Sequence, residues 1–119
     1  MNRVKIEKNP ILKLSFEFSL LIIAYCEQLE KEKKFVIARQ LLKSGTSIGA
    51  NAMEAQNAES RPDFIHKFRI SAKEAEKTQY WLWLCKHAEN YPSCDHLIKK
   101  VNDICNIIGR ILYSSKNRI

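Results

Sequence analysis

Between Lys43 and Ala58 the chain reads KSGTSIGANAMEAQNA, in which Ile48 and Met53 are the only large apolar side chains. Small side chains over sixteen residues let a second helix approach closely, because the distance between helix axes follows the size of the contacting groups. The stretch therefore predicts a tightly packed helix pair at the centre of the fold. Asn51 and Glu54, three positions apart, share one side of that helix. With Ser47, and with Lys67 and Glu74 from the next helix, they form a candidate polar network fixing the register between the two, because buried polar groups need partners.

The rest of the pattern is helical as well. Residues 1–8 alternate charged and apolar side chains without a helical period and read as a tail or short extended arm. Asn9 followed by Pro10 predicts a capped helix start, and apolar residues at Ile11, Leu14, Phe18, Leu21, Tyr25 and Leu29 predict a first helix over 10–32. A second helix is expected over 35–58, with Ile37, Leu41, Ile48, Ala52 and Ala55 as its inner line. Ser60, Pro62 and Asp63 mark the start of a third over 62–89, with Pro62 in the first position. Ser93 caps a fourth over 93–114. Four amphipathic helices joined by short connectors predict an all-α protein, an antiparallel up-down-up-down four-helix bundle in one domain.

Two of these helices carry more apolar surface than one core can take. Every residue from Tyr80 to Cys85 is apolar or aromatic, and at about 100° per residue six in a row go round the whole helix. Trp81 and Trp83 then point about 200° apart. Phe16, Leu20, Ile22 and Ile23 create the same excess on the first helix. A helix apolar on all sides is covered on all sides, so these six residues are read as an interface between copies of the chain. The alternative is a wide core with one exposed Trp.

The chain has 20 Lys and Arg against 13 acidic residues, a net charge of +7. In an antiparallel bundle the amino terminus, the junction between helices two and three and the carboxyl terminus meet at one end. Windows 1–13, 58–68 and 108–119 hold nine cations against three carboxylates, a surplus of six. The cations are Arg3, Lys5, Lys8, Lys13, Arg61, Lys67, Arg110, Lys116 and Arg118. The opposite end carries a surplus of one. A positive end suits a phosphate backbone, bound by charge neutralisation and not by base reading. A solvated basic fringe that aids solubility is the competing explanation.

Catalytic and metal chemistry find little support. Arg61 and His66 form an Arg-x4-His pair of the spacing used by helical-bundle ribonucleases, with His as general acid or base, but two residues are a pattern common by chance. Asp63 and His66 are three apart, like the ligand pairs of carboxylate-bridged metal bundles, which need Glu-x-x-His on two helices; here it occurs once, with Asp. No metal and no cofactor are expected. Cys26, Cys85, Cys94 and Cys105 lie 59, 9 and 11 residues apart, without knuckle or CxxC spacing, and read as reduced thiols in a cytoplasmic protein. The longest apolar run covers nine residues, where a membrane span needs about 20, so no membrane partner is expected.

The residues Ser47-Ile48-Gly49-Ala50-Asn51-x-x-Glu54-Ala55, then Ser60-x-x-Asp63-Phe64-x-x-Lys67, then Ile70-x-x-Lys73-Glu74-Ala75-x-x-Thr78-x-Tyr80-Trp81-Leu82 resemble the bacterial four-helix-bundle family. It is also called the ribosomal RNA intervening-sequence protein family. The likeness covers about residues 12–113. It implies a cytoplasmic bundle, closed rings that are often pentameric, and no enzymatic activity. It also implies a structural role for Ser47, Asn51, Glu54, Lys67 and Glu74. An accessory protein of diversity-generating retroelements is similar, and there a basic ring works with a reverse transcriptase and nucleic acid. The expectation is a non-enzymatic homo-oligomeric scaffold for RNA or DNA. A protein-interaction adaptor and a bundle-type ribonuclease are the alternatives.

Overall fold

All three glycines of the chain, Gly45, Gly49 and Gly109, lie inside helices, so its connectors turn on other residues. Lys33 and Asn90 are both at φ 65°: Lys33 takes the left-handed conformation that ends the helix before it, and Asn90 turns the connector that follows His87. The computed structural model describes residues 3–116. They form α1 (Arg3–Lys8), α2 (Pro10–Lys31), α3 (Phe35–Ala55), α4 (Arg61–His87) and α5 (Asp95–Lys116). The described residues contain no strand, and the protein is all-helical.

α1 is the main departure from expectation. Residues 3–8 are helical and not an extended arm, and Ile6 is buried. One turn and a half of helix is too short to show a period in sequence, and it is held by packing on α2. The other starts follow the local chemistry. The Asn9 side chain accepts from the Leu12 N–H at 3.5 Å. Ser60 accepts from the Asp63 N–H at 3.2 Å, while Asp63 Oδ2 accepts from the Glu59 N–H at 3.1 Å. Pro62 occupies the second helical position, not the first, because Arg61 already belongs to α4. At α5 the Cys94 carbonyl accepts from the N–H groups of Leu97 and Ile98, so the helix begins two residues later than Ser93 suggests.

α2 packs on α3, α3 on α4, α4 on α5, and α5 back on α2. Where α3 meets α2 and α4, the contacts run in opposite chain order. Gly45 faces Ile22 and Gly49 faces Ser15 across α3 and α2. Ser44 meets Thr78, and the Ile48 carbonyl meets Ser71, across α3 and α4. The small stretch of α3 thus serves two neighbours, its glycines admitting α2 and its hydroxyls admitting α4.

The core is apolar, with Phe18, Ile22, Leu29, Leu41, Ile48, Phe68, Leu82, Leu97, Ile104 and Ile108 fully buried. Its polar members are satisfied locally. Ser71 Oγ donates to the Ile48 carbonyl at 2.8 Å, and Thr78 Oγ1 shares a hydrogen bond with Ser44 Oγ at 2.9 Å while donating to the Glu74 carbonyl at 2.8 Å. A hydroxyl on the carbonyl of the facing helix requires the two backbones to lie close, as small residues allow. Ile22 is therefore corrected. It is 0 % exposed against Gly45 and belongs to this core, not to an outer interface.

Candidate nucleic-acid interface

The end of the molecule expected to be basic is built from three junctions. Asn9 Nδ2 donates to Gln56 Oε1 at 3.3 Å, tying the start of α2 to the end of α3. The capped start of α4 then stands beside the last turn of α5, and between them opens a cleft of about 340 Å³. Gln56, Ser60, Arg61, Phe64 and Ser115 are among its lining residues. A second groove of about 320 Å³ runs along α5, lined by Ile107, Arg110, Ile111, Ser114 and Ser115, and shares Ser115 with the first.

The cations divide into distinct groups. Lys5 and Lys8 are exposed on α1, and Lys116 is exposed in the last turn of α5. These three and Arg110 make no ion pair among the described residues. Arg110 lies six residues before Lys116, about 9 Å back along the helix, so it flanks the end instead of capping it. Lys13 is partly neutralised by Glu7 at 3.6 Å, and Lys67 by Glu54 at 3.3 Å. Arg61 is exposed at the cleft. Of Arg3 only the backbone is described, and Arg118 lies outside the described residues. The sequence reading missed Arg69 and Lys73. Both are exposed on α4 without an ion pair among the described residues, and with His66 they form a stripe at spacings of three and four. That spacing was the available signal; a count by windows at the two ends leaves them out.

Of the polar network expected between helices, only Glu54 and Lys67 come together. Ser47 donates to the Lys43 carbonyl at 2.6 Å, Asn51 to the Ser47 carbonyl at 2.9 Å, and Glu74 pairs with Lys77 at 2.7 Å, all within their own helices. The buried cross-helix links belong to Ser44, Ser71 and Thr78. Serine and threonine on an otherwise apolar stripe were the sign of them.

The residues assigned to a contact between copies also separate. Phe16, Leu20, Ile23 and Trp83 are 40–55 % exposed, while Trp81 is half-buried against the core. Arg61 and His66 are both exposed. Five residues apart on one helix, they diverge by about 140°, and His66 does not line the cleft that holds Arg61.

The buried thiols are chemically quiet. Burial first, and then neighbouring Cys85 and Glu30, push the Cys26 thiol up to about 12. Burial likewise raises Cys85 to about 11, against the lowering effect of a hydrogen bond with Tyr25. Tyr25 donates to the Pro92 carbonyl at 2.8 Å, and its phenol is held well above its usual range, chiefly by burial. Among the described residues no three His, Cys, Asp or Glu side chains gather as a metal site would require. Nor is any helix among them long and apolar enough to cross a membrane.

Long helices around one apolar core, closed by small-residue seams and carrying a cationic end, define a helical-bundle class of protein. Within it, the chain belongs to the 23S rRNA-intervening sequence protein family, whose model matches residues 7–114. It is similar to a protein of unknown function from the S23 ribosomal protein family of Bacteroides thetaiotaomicron. The two are 38 % identical with a TM-score of 0.83, over 88 % of this chain and 96 % of that one. No curated protein matches the chain.

Proposed function

We propose that this protein is a non-enzymatic scaffold that self-associates through its outer apolar faces and holds RNA or DNA on its basic end. In this reading the four long helices form an up-down-up-down antiparallel bundle, and the copies close into a ring, with five as the number the family resemblance suggests. The supporting observation is that Lys5, Lys8, Arg110 and Lys116 are exposed cations without ion pairs among the described residues, carried by α1 just before the start of α2 and by the last two turns of α5. A ring would pool these groups on one side of the assembly. The family's tie to 23S rRNA intervening sequences favours RNA as the polyanion.

The test is a filter-binding titration of single-stranded RNA and DNA at several salt concentrations. Binding that weakens linearly in log–log form is expected. Arg110→Glu with Lys116→Glu should reduce the slope by about 1.4, two contacts at about 0.7 each for single strands. Absence of binding at low salt to either polymer would sink the reading. The exposed apolar residues favour a second reading, a protein-interaction adaptor, which a pull-down yielding a protein partner and no nucleic acid would support.

A further inference from the structure

The cleft between the start of α4 and the last turn of α5 has an aromatic wall that charge alone does not explain. Phe64 lines it and is half-buried, three positions after Arg61 on the same helix. Its ring centre lies 4.9 Å from that of Phe68, with the rings tilted by 58°, and Phe68 is fully buried in the core. Backed in this way, Phe64 presents a rigid apolar surface. Ala55 and Ala58 add only methyl groups to the lining and leave the space in front of it open.

Several polar groups of the cleft are already engaged. Gln56 accepts from Asn9 and donates to the Ala52 carbonyl at 3.2 Å. Ser60 Oγ accepts from the Asp63 N–H, and Pro62 has no N–H to offer, so the start of α4 is not a seat for a bare phosphate. The hydroxyls of Ser60 and Ser115 can still donate to a ligand, and Arg61 brings a positive charge to the lining. Lys116 directly follows Ser115, Lys8 directly precedes Asn9, and Arg110 lines the adjoining groove with Ser115. Of the carboxylates near these junctions, Glu7 and Glu54 are held by Lys13 and Lys67, Asp63 accepts from the Glu59 N–H, and Glu59 is exposed. A phosphate has no use for an apolar wall, and a wholly apolar ligand has none for the surrounding cations. A nucleotide suits both, because every base has an apolar π-face and its backbone carries the charge. At about 340 Å³ the cleft lies at the low end of the roughly 300–1,000 Å³ of small-ligand sites, which gives room for one nucleotide and not for a duplex.

Building on the nucleic-acid reading above, we infer that this cleft receives one unpaired base of a single strand, stacked against Phe64, while Arg61 and Lys116 hold the adjoining phosphates. The ligand is then single-stranded, since only an unpaired base can leave its neighbours to stack on a protein ring. It is held by stacking and charge and not by sequence, because stacking tolerates any base.

Fluorescence anisotropy at one low salt concentration tests this, with single-stranded RNA and DNA and with the same backbones carrying abasic sites throughout. The parent should bind the base-bearing strands about 5- to 150-fold more tightly than the abasic ones, the range that stacking of one base supplies. Phe64→Leu should bring that ratio to about one and leave affinity for the abasic backbones as in the parent. Ser115→Leu adds bulk to the cleft from α5, changes no charge and should do the same; it serves alone if far-ultraviolet circular dichroism shows that Phe64→Leu does not fold. A parent indifferent to the bases, as a site for a protein side chain would leave it, overturns the base site while leaving charge-based binding standing. So does either folded variant that keeps the ratio. A parent that binds no strand of any kind removes both.

Discussion

The seam between α3 and α4 and the outer stripe of α2 are both apolar helix surfaces, yet they are built to opposite rules. At the seam the side chains are small, the hydroxyls of Ser44, Ser71 and Thr78 are satisfied, and no described buried side-chain polar atom lacks a partner. On the outer stripe Phe16, Leu20 and Ile23 are large and half in water. The seam completes itself within one chain, and the stripe does not. Closeness comes from small residues, while unfinished surface comes from large ones.

The strongest challenge to this contrast is Phe68→Ala, which empties a fully buried site where α4 enters the core. A loss of about 3–5 kcal/mol in denaturant unfolding is expected, and a loss below 1 kcal/mol would mean the interior is not close-packed there. The next effect is one of pH. Well below pH 9, at about pH 8 and under, the Cys26 and Cys85 thiols are protonated in folded and unfolded chains alike, so they leave stability unchanged. As pH rises from 9 toward 11 the unfolded chain releases these protons while the folded chain keeps them, and stability falls. Unfolding midpoints should stay flat up to about pH 8 and drop above 9, with a smaller drop in Cys26→Ala.

A pair of glycine substitutions sharpens the comparison further. A Cβ on Gly45 would lie 2.9 Å from Ile22 Cγ2, whereas one on Gly109 meets nothing within 4 Å. Gly45→Ala should cost about 1–3 kcal/mol, and Gly109→Ala should raise stability by about 0.5–1 kcal/mol, both read from unfolding midpoints. The smallest effect belongs to the Glu54–Lys67 pair, the only expected cross-helix polar contact that forms. Both partners reach solvent, so Lys67→Ala should cost less than about 1 kcal/mol. A larger loss would restore the polar network between α3 and α4 to a structural role.

Much of the fold was legible in the residues. Asn9, Pro10, Ser60 and Asp63 mark helix starts by local hydrogen bonding and by proline's missing donor, which depend on no distant contact. The periodic apolar line of α3 nearly matches its buried residues for the same reason. The candidate interface was less legible. Window counts placed Lys67 and Arg110 with the end cations, but Lys67 finds Glu54 across a helix boundary, and Arg110 is set back by helix rise.

The amino-acid order alone determined the four long helices, the capped starts of α2 and α4 and the surplus of large apolar groups, because each depends on spacing within a few residues. Tertiary structure alone decided which face of each helix turns inward. Ile22 and Ile23 are neighbours of the same residue type, and only the gap left by Gly45 on another helix buries the first and leaves the second in water. It likewise decided that residues 3–8 coil, since a helix this short gains its stability from the surface it lies on and not from its own turns.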